Sequence, residues 1–480
     1  MAIKRTPRSD KFRITVYSFY GTMQSWGFWI PFTYGQMFLM DYMGLKAAEV
    51  ATIFLFAKSI DFFVSLTAGG IIQSANLKSG KFLPWMRTLR WVISIGAMLQ
   101  VLPIPGAPFV IKAFCAGVGY CCMHCSMNFM STCLSGVMQL IAGANMDNRF
   151  KMTSRAAQVS SASSIILSFG TVPAITAVGK LLNNEALGYT VLSAICPILL
   201  IVGVELLTMA AGDLDLPRDP NMPAPPRVKI KDMVTAIFTN DQMVLYMVYQ
   251  VVNQIGTQIV AGMMMYYWRL IMDSFHMYSI VSGTTTCINF VFAMFLPKVA
   301  KKLGKKKSIV FAFGMNVLSR LVMLFFATKS IWWMFVANLL MQIGMRLTMS
   351  FGINYYLDIG EYGYYKTGKD FRTLSMSMTN IPMKISMAVG GAIGGYVLAW
   401  IGFDEWNAMK VAGTLDRTSA EWIAFTKTFM NIYSLVPIVF ATVAIIIFFV
   451  GYKITDEDAK FYAAENQKKK EAERAAAAAK

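Results

Sequence analysis

Histidine is nearly absent. His124 and His276 are the only two in 480 residues, so a catalytic or metal centre built on a histidine cluster is not expected. Charge is scarce as well, 15% of residues against 56% hydrophobic, and a water-soluble chain of that composition would expose large apolar patches. Cysteine offers no disulfide framework: the seven residues, at 115, 121, 122, 125, 133, 196 and 287, all fall inside apolar runs, and their number is odd. The string CCMHC at 121–125 places Cys121, His124 and Cys125 on one helix face. Zinc takes four ligands, and no further histidine or acid is near, so a polarisable packing face is expected there. A cleavable signal is not expected either, because the basic start KRTPRSDKFR leads into a long apolar run without a small-residue cleavage site.

What the chain has in abundance is long apolar runs. Twelve are long enough to cross a bilayer, which takes about 20 residues: 14–40, 47–75, 84–103, 108–142, 156–178, 187–210, 240–268, 277–297, 308–328, 331–357, 374–402 and 428–452. The 36 methionines read as adaptable core between them. The net charge of +18 is distributed in a way that speaks for a membrane and against nucleic acid. With the amino terminus placed in the cytoplasm, the cytoplasmic segments hold 32 Lys and Arg and the opposite side 8, and 4 remain inside the runs: Lys58, Arg320, Arg346 and Lys384. That asymmetry is a positive-inside signal with both termini cytoplasmic, and the plasma membrane is the expected location.

The chain therefore reads as an all-α membrane protein of twelve transmembrane helices in two six-helix halves. A Pro-rich segment of mixed charge, GDLDLPRDPNMPAPPRVKIKD at 212–232, reads as a cytoplasmic linker between residues 1–211 and 233–454. The halves echo one another weakly: ANLKSGKFLPW and AKKLGKKKSIV occupy matching loops, as do DNRFKMTSR and DIGEYGYYKTGKDFR. The tail, 455–480, reads as a helix opened by a capping box from Thr455 to Asp458.

Three stretches carry a resemblance: Gly80-Lys81-Phe82-Leu83-Pro84-Trp85, the string YLDIGEYGYYKTGK from Tyr356 to Lys369, and YKITDEDAKFY from Tyr452 to Tyr462. In combination they are fairly specific, and the chain resembles the glycoside–pentoside–hexuronide cation symporter family, which includes melibiose and glucuronide carriers. The resemblance implies the major-facilitator fold, with two halves rocking about a central site, and transport of a small sugar or uronide without a resident cofactor. It implies that Asp61 stands where the sodium-coupled relatives keep the first of two aspartates, with Val64 and Ser65 at the partner positions. It also places Ser25 where a sugar-binding aspartate would fall, and Lys384 where the family has a lysine at the substrate cavity. Arg346 falls near an aromatic cavity position. Without the neighbouring acids, a sodium site of the familiar type is not expected.

A charge at the membrane centre costs about 2.5–3.5 kcal/mol on insertion scales, so it faces a cavity or a partner. Lys58 and Asp61, three residues apart, share a helix face and can pair. One reading is a self-neutralising pair that fixes helix packing. The other makes Asp61 the coupling carboxylate, with Ser65 beside it, and Lys58 its tuner, with H+ favoured over Na+ as the coupling ion. Were Lys58, Arg346 and Lys384 to share a cavity with Asp61, its charge would favour a carboxylate-bearing substrate; pairing with Asp358, Glu361 or backbone carbonyls is the plainer role for Arg346 and Lys384. Ser25, Trp26, Gln250 and Gln254 are candidates for sugar hydroxyls and the apolar sugar face, or for interhelical hydrogen bonds. Lys81, Arg87 and Arg90 could latch a cytoplasmic gate against Asp358 and Glu361, or simply set topology. Arg320 is expected to snorkel or to meet lipid. The function read from this is cation-coupled symport by a monomer in contact with lipid, not an enzyme. Uncoupled facilitation or exchange, and a sensor without turnover, are the alternatives.

Overall fold

The computed structural model describes residues 9–75, 77, 79–143, 146–217, 235, 238–368 and 378–478. Among them all regular structure is helical. The chain runs α1 (Asp10–Trp26), α2 (Trp29–Asp41), α3 (Ala47–Ser74), α4 (Leu83–Gln100), α5 (Phe109–Ala142), α6 (Met146–Leu181), α7 (Glu185–Ile195) and α8 (Pro197–Ala211). It continues through α9 (Asp241–Ala261), a short turn Met263–Tyr266 that widens into a π-helical turn Tyr267–Ile271, α10 (Phe275–Leu303), α11 (Lys305–Phe326), α12 (Ile331–Thr367), α13 (Ile381–Trp400), α14 (Phe403–Val411), α15 (Ala420–Gly451) and α16 (Asp456–Ala478).

Each of the twelve expected runs falls mostly on helix over its described residues, and nine described helical stretches, α7 with α8 counted as one, are long and apolar enough to span a bilayer. The run 14–40 falls short because it breaks at Gly27–Phe28 into α1 and α2. The run 84–103 carries Arg87 and Arg90, and 240–268 carries Gln250 and Gln254. The polar side chains that lower the apolar score are thus the ones that draw functional interest. Of the expected linker, residues 218–232 lie outside the described residues, as does 369–377 of the loop before α13.

Helix starts follow local chemistry. Ser9, Asn184, Asn240 and Ser419 accept from backbone N–H groups in the first turns of α1, α7, α9 and α15. Thr455 and Asp458 exchange the two bonds of the expected capping box, 2.9 Å and 3.1 Å.

Two compact units emerge. Unit 1 comprises residues 1–227, 264–287 and 395–416, and unit 2 comprises 228–263, 288–394 and 417–480. The core of unit 1 is rich in methionine and aliphatics, with Tyr20, Met86, Ile93, Met123, Met130, Leu200 and Leu207 buried between α1, α4, α5 and α8. That of unit 2 is an aromatic knot of Tyr246, Tyr249, Tyr355, Tyr356, Phe448 and Tyr452. Tyr246 lies 5.2 Å from Tyr355 between ring centroids, and Phe448 lies 4.9 Å from Tyr452, within the range where aromatic pairs attract.

In unit 1 the motif Gly80–Trp85 acquires a physical role. Asp215 is buried and accepts from the backbone N–H groups of Lys81, Phe82 and Leu83, the last at 2.7 Å. It therefore caps α4 from a distant part of the chain. Gly80 sits at φ +133°, and a Cβ there would come within 2.6 Å of the Asp215 carboxylate, so the close approach requires glycine. Arg13 pairs with Asp213 beside it at 2.5 Å.

Candidate functional site

In unit 1, α3 carries Lys58, Asp61 and Ser65. Asp61 is 6% exposed, and Asn128 of α5 donates its side-chain N–H to Asp61 Oδ1 at 2.6 Å. A buried carboxylate needs such a bond, and one to a charged acceptor is stronger than a neutral pair. Lys58 is half-buried, with Nζ 5.8 Å from the centre of the Phe54 ring. Phe54 lies 5.3 Å from Tyr120, and Tyr120 stacks on His124 at 3.9 Å. The histidine of CCMHC is therefore part of an aromatic column between α3 and α5. Among the described residues no three His, Cys, Asp or Glu side chains gather in a way that could hold a metal.

Ser65 donates to the carbonyl of Phe62 at 2.7 Å, and Ser25 to that of Gly21 at 2.8 Å. Both hydroxyl protons are held by their own helices. Trp26 is fixed from its edge, its indole N–H donating to Ser163 Oγ of α6 at 2.6 Å. Trp29 is held in the same way by Thr171 at 3.2 Å. Rings anchored by the N–H keep their faces in a set direction.

In unit 2, Gln250 of α9 donates to the Tyr246 hydroxyl at 3.1 Å, and Gln254, one turn on, is half-buried. Lys384 and Arg346, on α13 and α12, are half-buried. The helix bearing Lys384 presses directly on α9: Ser386 donates to the Val251 carbonyl at 3.0 Å, and a Cβ at Gly390 would come within 2.7 Å of Gln258 Cβ. Gly394 sits equally tightly on the Ile259 backbone. The glycines of GGAIGG at 390–395 let two helix backbones meet here.

Arg320 corrects an expectation. It does not snorkel: it is 6% exposed, and its guanidinium donates to the Tyr433 carbonyl at 3.4 Å, with the sulfurs of Met323 and Met341 at 3.6 Å and 3.7 Å. The helices α11, α12 and α15 enclose it too deeply for its head to reach water.

The residues expected at a gate are each engaged within their own unit. Arg90 pairs with Glu205 at 2.5 Å, and Arg87 approaches the same carboxylate at 3.9 Å. Lys81 lies over the Phe82 ring at 5.3 Å. In unit 2, Lys305 binds Asp358 at 2.5 Å and Asp456 at 2.9 Å. Glu361 accepts from Asn466 of α16 at 2.7 Å. The tail helix is thereby docked on the end of α12, with Tyr365 4.9 Å from Tyr462.

Sequence reasoning missed two features of unit 1. The first is Asn128. It is one of two side-chain amides in the run 108–142, and nothing in the sequence pattern sets it apart from the other. The second is a charged cluster around the π-helical turn. Arg269 pairs with Asp41 at 3.1 Å and donates to the Tyr42 hydroxyl at 3.1 Å. Tyr42 in turn donates to Glu185 at 2.8 Å, and Asn407 donates to Asp41 at 2.9 Å. The Asp41 side chain is 1% exposed. Single π-helical turns are rare and frequently mark functional places.

Comparison with known proteins places this arrangement. A family model described as MFS/sugar transport protein matches residues 27–456. The chain belongs to that family. It is 23% identical over 411 residues to the uncharacterized symporter YnaJ of Bacillus subtilis, covering 84% of this chain and 85% of the relative. It is 21% identical to the isoprimeverose transporter of Lactiplantibacillus pentosus, covering 83% and 81%, and 21% identical to the glucuronide carrier protein homolog of Escherichia coli, covering 78% and 80%. Among solved structures, a bacterial homolog of the human lysosomal transporter Spinster aligns with a TM-score of 0.61 at 10% identity, over 92% of this chain and 97% of that one. The nucleoside transporter NupG aligns at 0.57 and 13%, over 92% and 99%. The fold of this MFS chain is the major-facilitator fold, and the protein is a multi-pass membrane protein.

Proposed function

We propose that this MFS chain is a secondary active transporter that moves a glycoside or hexuronide together with a cation, a proton rather than sodium, by alternating access. The observation that carries the reading is Asp61, a buried carboxylate on a membrane helix with an amide donor, Asn128, across from it at 2.6 Å. A hard metal cation needs several oxygen ligands at once, whereas a single carboxylate carries a proton unaided. Relatives that are symporters, an isoprimeverose transporter and a glucuronide carrier homolog support the sugar class. Were Lys58, Arg346 and Lys384 to share a cavity with Asp61, its net positive charge would favour a substrate carboxylate. Trp26, with its ring anchored by Ser163, suits a sugar face, and Ser25, Gln250 and Gln254 suit hydroxyls. The excess of basic residues on one side supports a cell-membrane protein with both termini in the cytoplasm.

The test is uptake into proteoliposomes of a panel of uronides and neutral glycosides under separate proton and sodium gradients. A proton gradient accelerates uptake, a sodium gradient does not, and Asp61→Asn removes the acceleration while leaving exchange. Lys384→Gln and Arg346→Gln weaken uronide uptake more than that of the neutral glycoside. Acceleration by neither ion identifies a facilitator or exchanger, binding without uptake identifies a sensor, and equal loss for both substrates removes the uronide assignment.

A further inference from the structure

Unit 2 contains a half-open cavity of about 290 Å³ at the end remote from the tail helix, between the close of α11 and the start of α15. Its polar lining is Thr328, Arg417, Thr426, Lys427 and Asn431, beside Leu324 and Trp422. No acid lines it. The Arg417 guanidinium sits 5.6 Å from the centre of the Trp422 ring.

Two features of this cavity lack a compensating group. The Thr426 hydroxyl is shut off from solvent and has no hydrogen-bond partner. Threonines elsewhere on α15 behave differently: Thr428 and Thr442 donate to carbonyls four residues back at 3.0 Å and 2.7 Å. An unsatisfied buried hydroxyl costs about 1–3 kcal/mol, and Thr426 is a residue of the cavity lining, where an occupant's oxygen would relieve that cost. The second feature is Arg320, one turn before Leu324. Its contacts are a carbonyl, two sulfurs and the face of the Tyr433 ring at 5.6 Å, and no carboxylate among the described residues pairs with it. A buried guanidinium without a counter-ion leaves a positive field beside the cavity.

The surroundings indicate what brings the negative charge. Ile423, Phe325 and Trp332, near the same end of these helices, are 60%, 58% and 72% exposed, as side chains are where acyl chains meet headgroups. We propose that the cavity binds a phosphate-bearing anion, supplied as the headgroup of an acidic phospholipid. Lys427 and Arg417 meet its charge, Thr426 and Asn431 donate to its oxygens, and the acyl chains leave over Ile423.

The full-length chain, delipidated in mild detergent, is incubated with phosphatidylglycerol or phosphatidylcholine, and retained lipid is counted by native mass spectrometry. A parallel arm measures thermal stabilisation by millimolar inorganic phosphate. The chain retains phosphatidylglycerol over phosphatidylcholine, and Lys427→Gln and Thr426→Val each lower that retention about tenfold, the worth of one charge-assisted hydrogen bond. Lys427→Arg preserves it, and Thr428→Val, on the exposed face of the same helix, leaves it unchanged and controls for folding. Stabilisation by phosphate that the same variants abolish, without lipid retention, assigns the site to the free anion and overturns the lipid source. Equal retention of both lipids with no phosphate effect, or retention indifferent to Lys427, overturns the site.

Discussion

Asn128 and Asp61 show how one amide settles a buried acid. The carboxylate has an ordinary solvation shell only outside the protein; inside, the side-chain N–H at 2.6 Å replaces part of it. Asn128→Leu removes the donor and leaves the acceptor buried, which costs about 1.5–3 kcal/mol for a bond to a charged group. Thermal unfolding in detergent reads that loss, and Asp61→Asn in the same background recovers part of it, because a neutral amide is cheaper to bury. Arg269 makes a stronger case. Removing one partner of a buried ion pair destabilises by about 3–5 kcal/mol, so Arg269→Gln lowers the unfolding temperature sharply and Asp41→Asn partly restores it. An additive outcome for these two substitutions would show that they do not act as a pair. Neither partnership was legible in the sequence. Asn128 lies 67 positions from Asp61, and Arg269 lies 227 from Tyr42. Pattern reading tells which face of a helix is polar, not which distant face it meets. Composition did disclose that Asp61 and Lys58 needed an environment, since an apolar run cannot hold them otherwise.

Among the elements, the helix runs were readable because their apolar lengths exceed any soluble alternative, and the capping box at Thr455 was readable because its bonds are local. The start of α4 was not. Its cap comes from Asp215, just past the end of α8, and a sequence motif alone could not say why Gly80 is followed by Lys81. Asp215→Ala withdraws acceptors from three N–H groups at once and is expected to destabilise by about 1–2 kcal/mol, the upper range for a lost cap. Hydrogen exchange at Lys81, Phe82 and Leu83 localises the effect: faster exchange confined to these amides is expected, and unchanged exchange would deny Asp215 its capping role. Arg320 departs from its expectation at this scale. A basic residue near a helix middle reads as able to reach water, and only the packing of α12 and α15 around α11 closes that route.

For the whole protein, charge movement is the decisive observable. A uronide that carries one negative charge and crosses with one proton moves no net charge, so its uptake is indifferent to membrane potential. A neutral glycoside with a proton carries one positive charge, worth about 2.3 kcal/mol per 100 mV. Setting the potential with potassium and valinomycin, inside negative, therefore accelerates the neutral substrate and leaves the uronide rate unchanged. Potential-driven uptake of both would mean more than one cation per uronide.

The glycines at 390 and 394 have a mechanical corollary. Where two helices meet through side chains, an interdigitated layer can slip from one set of rotamers to another and let them slide. At the seam of α9 and α13 that layer is reduced to the Gln258 Cβ and the Ser386 hydroxyl, and Gly390 and Gly394 press on the main chain of Ile255 and Ile259. Those helices behave as a single welded beam, and whatever bending transport demands must be found at other joints.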